Sequence, residues 1–482
     1  MAGPQGPKDL TTGPIGATLL LFALPTLGSN ILQSLSGSIN SIWVGRVLGE
    51  QALAATANAN MVMFLMFSVV FGVGMASTVV IAQAFGARDV DAARRAFGSA
   101  IGFCFLLGMV VATVGFIASP ALLRLLATPP EAYGYALAYL RVIFVALPAT
   151  LLSVMVMMGL RGSGDARTPF KFMILSVAVD AVLNPLLILG VGPIPALGIA
   201  GSAAATAVAG FVSLISLLVY IYRNDLPLRL RGAELSYLRP ASDQMRILLA
   251  KGLPMGLQMI VMSASGLVMI GLVNREGLLT TAAYGAAQQL WTYLQMPAMA
   301  MGAAVSAMAA QNIGARRWDR LSRVTGYGLG YLLLITGVMV TLMLLFDRPL
   351  LSLFLGNDSP AIEAARHMQL LVSWSFLIFG CTMILFGVMR ANGVVVAPLL
   401  ILIVTLYGVR LGFYALFHGR LGADALWLSF PVSSAVGFLC AAGLYLQGGW
   451  RRTQLLVPPN DEQCLEDANA KGEPAGRILP TG

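Results

Sequence analysis

Asp180 stands in VAVDAVLNPLLI, residues 177–188, four positions before Asn184 and five before Pro185, within an apolar run. Residues four apart share a helical face, so the carboxylate and the amide make one polar niche. Pro185 has no N–H and therefore frees backbone carbonyl capacity beside them. An ionised carboxylate in hydrocarbon is costly, and burial disfavours its charged form. Such a group either faces water or is neutral part of the time, which is the behaviour of a proton carrier. The alternative is a structural aspartate hydrogen-bonded to a neighbouring helix.

The elements that must position this niche are helices in a membrane. The chain has 482 residues, 58% hydrophobic and 11% charged. Its apolar runs meet the roughly 20 residues that a bilayer crossing needs. Hydropathy predicts twelve spans: 14–44, 52–82, 94–118, 131–160, 170–190, 198–222, 247–274, 280–310, 322–346, 362–389, 395–417 and 424–446. The fold class is an all-α polytopic membrane protein. With both termini cytoplasmic, 22 of the 30 basic residues fall on the inside, as the positive-inside rule requires. The net charge of +9 is thus a topology signal, with no nucleic-acid partner implied. The first apolar segment is too long for a signal-peptide core and reads as a retained helix.

The chain repeats itself. IAQAFGAR ends at Arg88 and AAQNIGAR at Arg316, 228 residues on; Arg161, Gly164 and Pro169 have counterparts Arg390, Gly393 and Pro398 at 229; Pro25 pairs with Pro254, also at 229. Two six-helix bundles of one topology follow, 1–222 and 246–446, joined by a cytoplasmic linker at 223–245 and followed by a polar tail at 447–482 that is expected to be disordered. A parallel six-span repeat with a route between its halves is an architecture of secondary transporters.

Twenty of the 21 acidic residues lie in loops, at interfaces or in the tail; Asp180 alone is deep in a span. Gln33, Gly37 and Asn40 form one stripe of the first span, beyond a kink expected at Pro25. Asn58, Tyr139 and Thr206 add polar groups from the second, fourth and sixth spans. Asp180, Asn184 and Asn40 are the ion-coupling candidates. Gln33, Asn58, Tyr139 and Thr206, with Gln258, Gln288 and Arg410 from the second half, are the substrate-binding candidates; Pro25 and Pro185 are the hinges. A snorkelling or capping role is the alternative for Arg410. Four scattered cysteines show no metal-ligand spacing, and His367 and His418 lack any nucleophile or metal motif around them, so an enzyme is not expected.

The runs SINSIWVGRVLGEQALAATA, VIAQAFGAR, GLRGSGDARTP, VAVDAVLNPLLILG and GIAGSAAAT, with their second-half echoes, resemble the multidrug and toxic compound extrusion (MATE) family over about residues 10–446. The DinF-like, proton-coupled branch is the most similar. The resemblance implies a V-shaped, alternating-access antiporter of the plasma (inner) membrane, monomeric and without a cofactor. It would export small organic, often cationic compounds against protons or sodium ions. Two departures stand out. Asn40 occupies a first-helix position where that branch has an aspartate, and the fifth-helix pattern Asn-x-x-x-Asp-Pro reads here as Asp180-x-x-x-Asn184-Pro185. The niche survives, but its titratable group moves by one turn. Proton coupling through Asp180 is the expectation; sodium coupling and a lipid-linked precursor flippase of the wider superfamily are the alternatives.

Overall fold

The computed structural model describes residues 9–125, 128, 130–190, 196–356 and 359–452. The first half comprises α1 (Ile15–Leu48), α2 (Glu50–Gly86), α3 (Val90–Leu125), α4 (Pro130–Gly162), α5 (Arg167–Leu189) and α6 (Ile199–Arg223). A 3₁₀ turn at Gly232–Leu238 leads to the second half: α7 (Ser242–Val273), α8 (Leu278–Gly314), α9 (Trp318–Leu345), the short α10 (Asp347–Leu355), α11 (Ala361–Val372), α12 (Ser375–Ala391), α13 (Val396–Ile403), a π-helical segment Val404–Val409, α14 (Arg410–Leu421) and α15 (Asp424–Gln447). The described residues form no strand.

Among the described residues, ten helices are long and apolar enough to cross a membrane, and α11 with α12, bent by 44°, makes an eleventh. The remaining expected span, 280–310, is helical as α8 but is not apolar enough to join them. Its composition has a packing reason. Alanines and glutamines dominate α8 because much of it is covered by protein, with Ala286, Ala287, Ala304, Ala307, Ala309 and Ala310 all buried. In α2, 83% of the apolar window is buried, against 17% in α5. α2 and α8 are therefore the inner helices, and α5 lies at the periphery. At 37 residues each, they run about 55 Å at 1.5 Å per residue, further than hydropathy alone marked.

The halves meet toward the face that carries the linker. Gly72 of α2 lies against the carbonyl of Gly252 and the backbone of Gly256 on α7. Closer to that face, Gly86 abuts the carbonyl of Gln311, and Gly314 abuts the carbonyl of Gln83. The two crossings are related by the repeat, and the glutamines extend the symmetry: Gln83 Nε2 donates to the Ala391 carbonyl at 2.6 Å, and Gln311 Nε2 to the Gly162 carbonyl at 3.2 Å. Each pair ends in the same turn, with Arg88 and Arg316 both at positive φ, 61° and 56°. The segment before α1 crosses to the other half. The N–H of Leu10 donates to Gln311 Oε1 at 3.0 Å, its carbonyl accepts from Asn312 at 3.2 Å, and Arg317 and Arg320 hold the carbonyls of Thr11 and Gly13.

The linker packs on α3, where Gly98 and Gly102 let Tyr237 and Leu238 approach, and Glu234 pairs with Arg94 at 2.6 Å. Past α15 the chain stays docked through Arg452. Trp450 is buried and stacks on Tyr445, and its carbonyl accepts from Asn392 at 2.7 Å. The rest of the expected disordered tail, 453–482, lies outside the described residues. On the opposite face, His367 pairs with Asp424 at 2.9 Å and Arg366 with Asp347 at 2.8 Å.

Glycine to alanine in a helix interior ordinarily stabilises by up to about 1 kcal/mol. Gly86→Ala is expected to do the reverse, costing about 1–3 kcal/mol as the two helices are forced apart. Gly210→Ala, where no atom lies within 4 Å of the new methyl group, serves as the control. Thermal unfolding of the purified protein in detergent measures both.

Candidate functional site

Asp180 lies at the thirteenth residue beyond the start of α5, about 20 Å along the helix, and is 4% exposed. Its Oδ1 accepts from the Thr206 hydroxyl of α6 at 2.9 Å and its Oδ2 from the Ser36 hydroxyl of α1 at 3.2 Å. Asn184, one turn on and fully buried, donates Nδ2 to Asn40 Oδ1 at 3.0 Å. The Ser202 hydroxyl donates to the same Asn40 oxygen, the Thr206 hydroxyl also reaches the Ser202 carbonyl at 3.3 Å, and Tyr139 of α4 is buried beside the group. Thus α1, α5 and α6 share one polar network around a single carboxylate, with α4 packed next to it. Among the described residues no basic side chain forms an ion pair with Asp180.

The sequence-derived candidates separate cleanly. Asp180, Asn184, Asn40, Tyr139 and Thr206 are brought together. Gln33 is exposed on α1, one turn before Ser36. The Asn58 side chain lies outside the described residues. Gln258 is buried and donates to the Val395 carbonyl at 3.1 Å, tying α7 to the start of α13. Gln288 is half-buried on α8, in the other half of the molecule. Arg410 is also in that half, bonded to Ser433. Pro25 and Pro185 sit inside helices that continue unbroken through them. Sequence reasoning missed Ser36 and Ser202. Both were findable, since each lies four residues before a named partner, Asn40 and Thr206, and so shares its face.

The chemistry open to this network follows from its one vacancy. Asn184 Oδ1 is buried and has no donor, whereas the ionised carboxylate can only accept. A protonated Asp180 gains an O–H and adds a donor to a network that holds an acceptor without one. Thr206 is exposed, so the carboxylate lies one hydroxyl beneath the protein surface. The described residues contain no cluster of three or more His, Cys, Asp or Glu able to hold a metal ion.

A family model, MatE, matches residues 25–186 and again 254–416, one copy on each half. The chain belongs to the MatE family. The two MatE segments begin 229 residues apart and end 230 apart. The probable multidrug resistance protein YoeA of Bacillus subtilis is 36% identical over 440 residues, covering 91% of this chain and 95% of its own. The FAD transporter of Shewanella oneidensis is 26% identical over 436 residues, 89% of this chain and 94% of its own. Among solved structures, a MATE transporter of the MOP superfamily in an outward-facing conformation matches with a TM-score of 0.84 at 21% identity, over 94% of this chain and 98% of that one. The MatE fold, a multi-pass membrane protein of two six-helix halves, is thereby the fold of this chain.

Hydrogen bonds to a charged group contribute about 1.5–3 kcal/mol. Thr206→Val, which removes one donor from Asp180, is expected to lower stability by that order at neutral pH. In an Asp180→Asn background the same substitution should cost much less. A double-mutant cycle on unfolding midpoints reads the difference.

Proposed function

We propose that this protein is a secondary active efflux antiporter that exports organic, cationic or amphipathic compounds in exchange for protons, with Asp180 as the coupling carboxylate. The observation that carries the reading is a buried acid deep in a span, held by two hydroxyls, with no cation paired to it among the described residues, beside an amide oxygen that lacks a donor. Membership of MatE and the multidrug-resistance relatives support the transport class. The basic residues near the linker support placing that face and both termini in the cytoplasm of a cell whose inner membrane the protein spans.

The cycle follows from the hydrogen-bond inventory. Ionised Asp180 attracts a cationic substrate toward the first half. Proton uptake from outside removes that attraction, turns Asp180 into a donor beside Asn184, and shifts the bond that Asn184 makes to Asn40. Because Ser36 and Asn40 lie on α1 beyond Pro25, and Thr206 and Ser202 on α6, the rearrangement pulls on two helices at once. With one proton exchanged per monovalent cation, each pH unit supplies about 1.4 kcal/mol.

The test is export of a cationic dye by purified protein in proteoliposomes under an imposed pH gradient or, separately, a sodium gradient. Wild type is expected to respond to the pH gradient, and Asp180→Asn to bind the dye more weakly and, at saturating dye, to lose that response by at least tenfold. Retained pH-driven export in Asp180→Asn would move the coupling group elsewhere. Export driven by sodium alone would overturn the proton reading.

A further inference from the structure

The second half carries a charge at the place where the first half carries Asp180, and the sign is reversed. Asp180 is 13 residues beyond Arg167, the first residue of α5; Arg410 is 14 beyond Val396, the first of α13. Pro169 and Pro398, near the starts of these helices, are 229 apart, whereas Asp180 and Arg410 are 230 apart. The π-helical segment Val404–Val409 lies between Pro398 and Arg410, and a π-turn absorbs one extra residue within an α-helix. Arg410 is thus the repeat counterpart of Asp180, at the same depth.

Its surroundings are built for a charge yet leave that charge unneutralised. Nε and Nη2 both donate to Ser433 Oγ, at 3.2 and 3.1 Å, and the guanidinium lies 4.2 Å above the centroid of Phe430. No carboxylate among the described residues pairs with it. Five N–H donors in a planar fork are therefore met by one hydroxyl, in a span where an unpaired cation is costly. Behind Phe430 lies a packed aromatic cluster. Trp291 meets Phe430 at 5.6 Å between centroids and Tyr284 at 5.8 Å, and Tyr284 stacks on Trp427 at 5.8 Å, with both tryptophans and Tyr284 buried. Trp291 Nε1 donates to Gln369 Oε1 at 3.0 Å, and Gln369, 0% exposed, keeps its Nε2 without a partner. A forked cation with unmet N–H donors over the half-buried ring of Phe430 is complementary to a carboxylate carried on an aromatic ring.

We propose that Arg410 and Ser433, over Phe430, form a second-half subsite that holds the carboxylate of an aromatic substrate, so that Arg410 sets the preference between the acid and the ester of one compound. The proposal rests on the antiport reading for transport but not for binding. A cationic group is drawn to Asp180 and a carboxylate to Arg410, and one substrate carrying both spans the two halves.

Rhodamine 19, a free carboxylic acid on a cationic xanthene, and rhodamine 6G, the ethyl ester of the same dye, differ only in the group that Arg410 would hold. Equilibrium binding of each to detergent-purified full-length protein is read by fluorescence anisotropy. Wild type is expected to bind the acid about tenfold more tightly than the ester, the scale of one charge-assisted contact. Arg410→Gln should remove that preference while leaving ester affinity within about twofold, and Arg410→Lys should keep part of it. Asp180→Asn should leave the preference intact even where it abolishes pH-driven export, which separates a failure of proton coupling from a failure of this site. The absence of a preference in wild type, or an equal loss of both dyes in Arg410→Gln with none in Arg410→Lys, would overturn the proposal. The wild-type comparison decides the matter even if the glutamine variant does not fold.

Discussion

Backbone-to-backbone contact between the halves, possible only at glycine, is the constraint on which the rest of the structure depends. At Gly86 and Gly314 one helix meets the carbonyl of the other with no side chain between them. Two glutamines then cap carbonyls of the flanking helices, Ala391 and Gly162. These groups lie where helices α4 and α12 run out of internal partners, so the clamp also satisfies backbone acceptors that would otherwise be stranded. Because the glycine contacts concentrate toward one face, each half is held chiefly at one end. The identity of α2 and α8 as inner helices follows, and so does the alanine-rich composition of α8.

Against that frame the polar niche does something a packed core cannot. Asp180 is solvated by hydroxyls from two other helices, and its neighbour Asn184 is bonded to Asn40. A carboxylate fixed by an arginine would be locked in one charge state. Neutral donors stabilise the anion less, so the cost of changing state stays small, and three helices register the change.

Much of this was legible in the sequence, and the failures are specific. Hydropathy located the spans because lipid demands apolar surface, yet it carries no information about the 44° break between α11 and α12 or about α10, which is short and two-faced. Helical spacing found Asp180 with Asn184, and the same rule, pursued one step further, finds Ser36 and Ser202. It could not place Gln258. Spacing says which residues share a face but not which helix that face meets, and here it meets the Val395 carbonyl. The repeat was readable from three matched motifs. The register change within it was not, because one extra residue in an apolar run leaves hydropathy unaltered.

That single residue at Val404–Val409 has a wider meaning. The π turn takes up the inserted residue within the helix, so Arg410 stands where strict register with the first half would put Val409, with topology and loops unchanged. Duplication gave the molecule two copies of one wall. A local slip in winding allows the second copy to present a different side chain inward, and the two halves become chemically unlike while remaining mechanically matched.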